Sequence, residues 1–362
     1  MDSFPDSPRD ASRRAALARM ANAALLCAAP GLAAEDDASG KPRRDARMIA
    51  PVCLYYGEDL ARYGFPDGHP LGVDRQAAFF HQAQSQNLDR RVAIMQPVVG
   101  TRKDIERFHT ARYVDKVLQA EHAHVQFLDQ GDTPVFPGIF VASSIVVGSA
   151  IDGLRNVMDG RCLRTFQAIG GLHHAARDHA AGFCVFNDLG VVIETLRQDY
   201  GVRRVAYVDI DVHFGDGVFY AFEDDPDLII ADIHQDWRTL YPGTGRDDET
   251  GKAQAAGTKL NINLKPGAGD AEFFTAWKRV ETHLDPFEPE FIVLQCGADG
   301  LKGDPLAGLT YSSAVHTHAA KNLRRLADKY AKRRLMAFGG GGYDRTNLAL
   351  AWCAVLKELA FA

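Results

Sequence analysis

The chain has 362 residues, of which 46% are hydrophobic and 24% charged, so it can bury the core of one large α/β domain or of two smaller ones. Its formal net charge of -6 argues against a nucleic-acid-binding surface as its main function. The six cysteines are scattered without a C-x-x-C pair, which excludes a zinc ribbon and a disulfide scaffold and favours a reducing compartment, hence the cytoplasm.

Residues 1–47 form an N-terminal extension that differs in composition from the rest. Arg13-Arg14 precede an Ala/Leu-rich run from Met20 to Ala34, which resembles a secretory signal, with the twin-arginine type as one option. The acidic residues before that run favour instead a disordered, Ala-rich extension or an upstream start codon, with Met48 as the true beginning. Export is therefore the alternative to a cytoplasmic location. The globular catalytic part is expected to span residues 48–362, and after residue 50 we expect no apolar stretch as long as a membrane span.

Strands and helices alternate along the globular part. Hydrophobic patterning predicts strands at 51–56, 92–95, 164–169, 204–209, 227–233, 260–264, 291–296 and 334–338. It predicts helices at 75–84, 104–120, 139–158, 187–199, 215–222, 270–283, 312–332 and 346–359. This order indicates a single α/β domain with a mostly parallel central sheet flanked by helices on both faces. In such a sheet the active site lies beyond the carboxyl ends of the strands.

The stretch 205–217, VAYVDIDVHFGDG, carries the first chemical signal. Its opening residues are typical of a buried strand, after which Asp209, Asp211 and His213 occupy alternate positions and would leave the same face. Carboxylates and an imidazole at a strand end suit a divalent cation, with zinc as the first choice. Taken alone, the pattern is better explained by a capping turn with structural aspartates, so the neighbouring segments have to decide.

Polar side chains also follow the other central strands. The groups at these strand ends are His173, His174, His234, Asp299 and Tyr343. Adjacent histidines at a strand end suit proton transfer near neutral pH. Because the carboxyl ends of parallel strands share one edge of the sheet, we expect these groups to converge with the aspartates on one rim.

Six motifs occur in order along the chain: GGLHH, GFCVFND, YVDIDVHFGDG, YPGTG, QCGAD and GGGGY. Together they resemble the zinc-dependent histone deacetylase family over residues 50–355, and the stretch IHQDWRTLYPGTG is most similar to its bacterial acetoin-utilisation-type branch. The resemblance implies an arginase/deacetylase-like fold and hydrolysis of N-acetyl amide bonds. One departure is Phe214, at which relatives usually carry a second histidine.

Carried over residue by residue, the resemblance makes Asp211, His213 and Asp299 the ligands of a catalytic zinc ion, with ferrous iron as the alternative metal. Three protein ligands with an open coordination position are also what a catalytic rather than a structural zinc site requires. The family's potassium ion would be bound by atoms of Asp209, Asp211 and His213 together with the Asp232 position, at which relatives often carry serine.

The same resemblance implies the catalytic roles. His174 would be the general base for the attacking water and then protonate the leaving amine, with His173 as its electrostatic partner or as the acid itself. Asp209 would orient His173, and Asp216 would orient His174. Tyr343 would donate a hydrogen bond to the substrate carbonyl and share the developing negative charge with the metal.

Further residues match the family's substrate channel. Gly182, Phe183 and Tyr241 correspond to walls that grip an extended alkyl chain, and aromatic faces suit the apolar stem of acyl-lysine. Arg75 matches an arginine of the family's internal channel. The histidines outside the motifs are expected to be structural or solvent-exposed: His109, His179, His316 and His318. Asp304 is expected to form a turn rather than to bind a ligand.

The expected substrate is acetyl-lysine in a protein, and the alternative is a small acetylated amine such as a polyamine. An acidic gate around Glu121, Asp129 and Asp132 would favour that alternative. No nucleic-acid or membrane partner is expected, and the oligomeric state stays open. A two-metal, arginase-type site is excluded because Gly215 and Leu301 occupy the positions of its bridging carboxylates. A catalytically inactive binding module would typically lack a metal ligand or the tyrosine, and this chain has all of them.

Overall fold

The computed structural model of the protein describes residues 50–66 and 68–361. The extension predicted for residues 1–47 lies outside them, so its nature, the boundary at residue 48 and the location in the cell stay predictions. The strands of the described part are β1 (Val52–Tyr55), β2 (Ala93–Met95), β3 (Arg164–Gln167), β4 (Val205–Asp209), β5 (Leu228–Gln235), β6 (Lys259–Leu264), β7 (Phe291–Gln295) and β8 (Leu335–Phe338).

These eight strands form one sheet in the order β2-β1-β3-β8-β7-β4-β5-β6. Every neighbouring pair is parallel, which confirms the predicted α/β fold with a mostly parallel sheet and makes the sheet parallel throughout. The histidine pair follows β3, Tyr343 follows β8, Asp299 follows β7, and the stretch that carries Asp211 and His213 follows β4. These four strands are consecutive in the sheet, so the chemically active loops emerge side by side at its carboxyl edge.

Helices cover both faces of the sheet. Their bounds are Glu58–Ala61, Arg75–Ser85, Arg102–Ile105, Ala111–Ala120, Ile139–Met158, Asp188–Tyr200, Asp216–Ala221, Asp270–Leu284, Ala314–Lys329 and Arg345–Leu359. The side chains of strand β4 pack against the helices on both faces of the sheet. Val205 and Tyr207 belong to one hydrophobic cluster, whereas Ala206 and Val208 belong to the other. Burial on both faces explains why the central strands read as continuous apolar runs.

The stretch 104–120, predicted as one helix, folds as two helices interrupted at Glu106 to Thr110. The Thr110 side chain accepts a hydrogen bond from Tyr113 N, as an N-cap residue does, and a new helix begins at Ala111. His109 is buried, and its Nε2 accepts a hydrogen bond from Asn187 N at 2.8 Å. This tertiary contact and the threonine cap override the continuous helical spacing of the sequence.

Helix Ile139–Met158 is long and apolar enough to cross a membrane, so the expectation that no such stretch follows residue 50 is wrong. In the described structure 78% of its 18-residue apolar window is buried within the protein. Val146, Val147 and Ile151, for example, belong to the hydrophobic cluster on one side of the sheet. Packing against the sheet and its neighbouring helices therefore accounts for the composition of this helix.

Candidate metal centre and catalytic pocket

Strand β4 ends at Asp209, and Asp211 and His213 lie in the loop beyond it. The strand pleat therefore does not align the three side chains, contrary to the prediction. Instead, Asp209 Oδ1 accepts a hydrogen bond from Asp211 N at 3.0 Å, and Asp211 Oδ1 accepts one from His213 N at 3.0 Å. Such carboxylate-to-backbone bonds two residues ahead are typical of aspartate turns. Two successive turns of this kind bring the side chains together.

Asp211, His213 and Asp299 form a buried cluster with one ligand atom each, and these atoms all lie within 4.8 Å of one another. His213 Nδ1 is 3.0 Å from Asp211 Oδ1 and 3.2 Å from Asp299 Oδ2. Donor atoms around a tetrahedral zinc ion at about 2.0–2.1 Å lie roughly 3.3 Å apart, so these separations fit such an ion. Asp299 Oδ2 is buried and accepts no hydrogen bond within the described structure, which leaves it free for a cation.

The remaining oxygens of the two carboxylates are held by hydrogen bonds. Asp211 Oδ2 accepts one from Gln295 Nε2 and one from Gly341 N, both at 2.9 Å. Asp299 Oδ1 accepts one from Val212 N at 3.0 Å. These bonds aim Asp211 Oδ1 and Asp299 Oδ2 at the imidazole. Burial lowers the pKa of His213, but the two neighbouring carboxylates more than offset this and raise it to about 10, so the cluster attracts positive charge.

His173 and His174 each contact a different aspartate. His173 Nδ1 lies 2.8 Å from Asp209 Oδ2, and His174 Nδ1 lies 2.6 Å from Asp216 Oδ1. The two Nε2 atoms are 3.1 Å apart. Because both Nδ1 atoms donate to carboxylates, a hydrogen bond between the Nε2 atoms requires one additional proton on the pair.

Charge and burial distribute that proton unequally. Burial lowers the pKa of His173, but the carboxylates of Asp209 and Asp211 more than offset this and raise it to about 9. Burial and the neighbouring His173 lower the pKa of His174 to about 4. When the pair holds that proton, His173 carries the positive charge and His174 is the neutral member.

A cavity of about 280 Å³ leads to this cluster. His174, His213 and Tyr343 line it together with the three predicted channel residues, Gly182, Phe183 and Tyr241. Tyr241 is 40% exposed and stands at the mouth. A Cβ atom at Gly182 would lie 2.6 Å from the His174 ring, so the wall there requires glycine. The structure therefore brings the predicted metal, proton-transfer and channel residues to one narrow space.

Tyr343 follows four glycines, and two distant side chains hold this segment. Arg75 is buried and donates from Nε to Gly342 O at 2.9 Å and from Nη2 to Gly340 O at 2.6 Å. Asp304 Oδ2 accepts a hydrogen bond from Tyr343 N at 2.9 Å, and its Oδ1 accepts one from Leu306 N at 2.9 Å. Asp304 therefore forms the expected turn through Leu306. It also fixes the tyrosine, a role for which the sequence offers no signal.

Two residues of the GFCVFND motif hold the histidine loop, although sequence reasoning gives them no role. Asn187 Nδ2 donates to Ala175 O at 2.9 Å. Asp188 Oδ2 accepts from Gly171 N at 2.9 Å, and its Oδ1 accepts from Leu172 N at 2.8 Å. Burial raises the pKa of Asp188 to about 6 despite these bonds. Their position in a motif that resembles the family is the signal that could have found them.

His234, predicted on the rim, is fully buried behind it. Its Nδ1 lies 2.6 Å from Asp232 Oδ1, and its Nε2 lies 2.8 Å from Gly245 O. Asp232 Oδ2 in turn accepts a hydrogen bond from Gly215 N at 3.0 Å. The pair thus ties the YPGTG loop and the turn before Asp216 to the end of β5. Both Asp232 oxygens already accept a hydrogen bond, and a potassium ion at this position stays a prediction.

The family model for the histone deacetylase domain matches residues 69–359 of this chain. Acetoin utilization protein AcuC of Bacillus subtilis is 33% identical over 313 residues, covering 84% of this chain and 81% of that protein. Histone deacetylase RPD3 of Saccharomyces cerevisiae is 30% identical over 312 residues, covering 83% of this chain and 70% of that protein. Histone deacetylase clr6 of Schizosaccharomyces pombe is 30% identical over 310 residues, covering 83% and 75%.

Proposed function

The chain belongs to the histone deacetylase family and is a hydrolytic deacetylase, and on that premise we propose that it removes acetyl groups from lysine side chains of proteins with a zinc ion bound at Asp211, His213 and Asp299. The observation that supports this most strongly is the cavity itself. Its lining combines a metal-ligand histidine, a proton-transfer histidine and a tyrosine at the end of an apolar channel. A zinc ion held there would act as a Lewis acid that polarises the amide carbonyl and acidifies water.

His174 is the group that exchanges a proton with the substrate, because its ring lines the cavity. It takes a proton from the water that attacks the amide carbon. This is the one additional proton of the pair, which is neutral beforehand; it is shared across the 3.1 Å contact with His173 and is returned to the nitrogen of the leaving amine as the C–N bond breaks. Asp209 and Asp216 keep the Nδ1–H groups in place and stabilise the charged pair through bonds of 2.8 and 2.6 Å.

Tyr343 stabilises the negative charge that develops on the carbonyl oxygen. Burial and the nearby carboxylates of Asp299 and Asp211 keep the pKa of this phenol well above its ordinary value, so the hydroxyl retains its hydrogen. In a space with little water, such a neutral hydroxyl can stabilise an oxyanion by a hydrogen bond without losing its proton to it. Asp304 and Arg75 keep its backbone in place, so little reorganisation is needed during the reaction.

The channel suits a long apolar stem with a neutral end. Phe183 and Tyr343 stand edge to face with ring centroids 5.9 Å apart, and Tyr241 contacts the His174 ring at 5.0 Å. An aromatic wall of this kind can pack against the four methylene groups of lysine, whose charge acetylation has removed.

A second candidate substrate, a small acetylated amine, is favoured by Asp132, which lines the same cavity near its mouth. A free ammonium group at the far end of an acetylated polyamine could pair with this carboxylate. The carboxylates of the other two acids of the expected gate accept hydrogen bonds from backbone N–H groups. Glu121 Oε2 accepts a hydrogen bond from Gly138 N at 2.9 Å, and Asp129 is bonded within its own turn. The gate is thus reduced to one carboxylate, which makes the protein substrate the better choice.

The test compares an acetyl-lysine peptide with N-acetylputrescine on zinc-loaded enzyme and on Asp132→Asn. The proposal is supported if kcat/KM is lower for the small amine than for the peptide. Turnover of the peptide should also be lost on chelation and restored by zinc. A higher kcat/KM for N-acetylputrescine that falls in Asp132→Asn would move the assignment to small amines. Turnover of neither by metal-loaded enzyme would contradict both.

A further inference from the structure

The channel wall at Gly182 and Phe183 is a two-residue reversal of the chain. Ala181 and Cys184 on either side exchange backbone hydrogen bonds of 3.2 and 2.8 Å. The φ angles of Gly182 and Phe183 are +50° and +68°, both in the left-handed region. Two positive φ angles are typical of the type I′ turn, in which asparagine and glycine are favoured. Phenylalanine is unfavourable in this conformation, so other parts of the protein have to hold it there.

Two buried hydroxyl groups from distant segments hold both peptide groups of Phe183. The Tyr63 hydroxyl donates to Phe183 O at 2.7 Å and accepts from Val185 N at 3.0 Å. Thr133 Oγ1 accepts a hydrogen bond from Phe183 N at 3.1 Å. Tyr63 is 1% exposed and Thr133 is fully buried, so neither bond has water as a competitor. Removing either hydroxyl would leave a buried backbone group of Phe183 unpaired.

The direction of the threonine hydroxyl is itself fixed. Thr133 Oγ1 donates its hydrogen to Asp129 Oδ2 at 2.5 Å, which leaves its lone pairs for Phe183 N. Asp129 Oδ1 also accepts from Thr133 N at 2.9 Å. Asp129 is one of the acids considered as a gate for cationic substrates. Its carboxylate serves instead to orient the threonine.

The backbone conformation decides where the Phe183 ring lies. The ring is at the cavity wall, 5.9 Å from the Tyr343 ring and 4.6 Å from the His69 ring by centroids. If Phe183 relaxed to a negative φ, its Cα–Cβ bond would point elsewhere, and the cavity wall beside Tyr343 would open.

We propose that Tyr63 and Thr133 are positioning residues for the substrate channel, which act by holding Phe183 in the left-handed conformation that places its ring against the lysine stem. This inference rests on the proposed function, since it takes acetyl-lysine as the occupant of the channel. It concerns binding of the stem rather than bond breaking. Interactions of that kind are equally strong in the ground state and the transition state, so their loss raises KM and leaves kcat unchanged.

The test uses Thr133→Val, which keeps the shape and removes the acceptor, beside Thr133→Ser, which keeps the hydroxyl. It also uses Tyr63→Phe beside the matched control Tyr113→Phe. The buried Tyr113 hydroxyl donates to Val185 O at 2.7 Å, so the control loses a similar bond that does not involve Phe183. Steady-state kinetics on an acetyl-lysine peptide and thermal unfolding are measured for all four variants.

We expect KM to rise about five- to tenfold in Thr133→Val and in Tyr63→Phe, with kcat within about twofold. Leaving a backbone group of Phe183 buried and unpaired is unfavourable, so the turn should shift and move the ring away from the substrate. Thr133→Ser and Tyr113→Phe are expected to retain the KM of the wild type, although Tyr113→Phe loses thermal stability as Tyr63→Phe does. In a Phe183→Ala background, Thr133→Val should have no further effect on KM. Equal KM values in Tyr63→Phe and Tyr113→Phe, or equal kcat losses without a change of KM, would overturn the inference.

A crystal structure of Thr133→Val gives a readout that needs no substrate. We expect Phe183 to leave the left-handed region or its ring to leave the channel wall. Unchanged φ and ring positions would refute the inference even if the protein proved to act on another substrate. Absence of peptide turnover by the wild type, by contrast, would count against the proposed function alone.

Discussion

The Nε2 atoms of His173 and His174 lie 3.1 Å apart, while each Nδ1 atom contacts a different aspartate. The two rings therefore form one unit that holds a single additional proton between two flanking carboxylates. Only His174 lines the cavity, so the unit has an inner and an outer member. His174 is therefore the residue that contacts the substrate, and His173 is the residue on which the positive charge of the pair is stabilised.

Asp216→Asn tests the carboxylate behind the reactive histidine. An asparagine amide can no longer stabilise a positive charge on His174, so we expect kcat on an acetyl-lysine peptide to fall about 10- to 100-fold with little change in KM. Asp178→Asn is the matched control, because Asp178 makes a similar 2.7 Å contact with His179 in an exposed position. Equal kcat values for the two variants would contradict a role for Asp216 in proton transfer.

Asp304→Asn tests the support of Tyr343. The native carboxylate accepts hydrogen bonds from Tyr343 N and Leu306 N, both at 2.9 Å, and an asparagine offers only one oxygen for the two donors. The tyrosine loop should shift, and we expect kcat to fall about tenfold because catalytic donors are sensitive to misplacement. Bound zinc should be unchanged by elemental analysis. A variant with wild-type kcat would show that the tyrosine loop holds its position without Asp304.

Gly341→Ala tests the metal centre by a steric change. A Cβ atom at Gly341 would lie 2.0 Å from Asp299 Oδ2 and 2.8 Å from Asp211 Oδ2, so both carboxylates would have to move. We expect the purified variant to contain less than about a tenth of the wild-type zinc, since the donor separations must suit the ion. Gly269→Ala is the control, because its nearest neighbour would be Thr310 Oγ1 at 3.3 Å. Full zinc occupancy in Gly341→Ala would contradict the proposed ligand set.

The buried imidazole of His109 should make the free energy of unfolding depend on pH. Burial lowers its pKa from the ordinary 6.5 to about 3, and a proton on Nε2 would break the bond from Asn187 N. The folded protein therefore keeps a neutral ring, whereas the unfolded chain takes up a proton below pH 6.5. The stability contributed by the neutral ring is complete above pH 6.5 and is lost as the pH falls toward 3.

The slope from this one group is about 1.4 kcal/mol per pH unit. Denaturant unfolding of the wild type, of His109→Gln and of the exposed-site control His179→Gln would measure it. His109→Gln should show the shallower dependence between pH 6.5 and 4. Parallel curves for the wild type and His109→Gln would contradict this assignment.

The strands and the motif loops were predictable from the sequence because their signals are local. Strand Val205–Asp209 lies inside the sheet, buried on both faces, and the motif loops follow the strands that the pattern indicates. The parallel arrangement then requires that loops on consecutive strands meet at one edge. No knowledge of individual contacts was needed to bring Asp211 and Asp299 together.

What the sequence did not reveal depends on contacts between distant residues. The bond between Thr133 and Phe183 spans 50 residues, and the bond between Asp304 and Tyr343 spans 39. Neither leaves a periodic pattern that could be read along the chain. His234 was misplaced for the same reason, because the pattern gives its strand end but not the acceptors that surround both ring nitrogens.

Turnover by zinc-loaded Tyr343→Phe, compared with the wild type, tests the central claim most directly. Phenylalanine keeps the aromatic wall of the channel and removes only the hydroxyl that stabilises the developing oxyanion. With an acetyl-lysine peptide and quantified acetate release, we expect kcat to fall about 100- to 1,000-fold, while KM and bound zinc stay close to wild type. A variant that releases acetate as fast as the wild type would contradict the proposed mechanism.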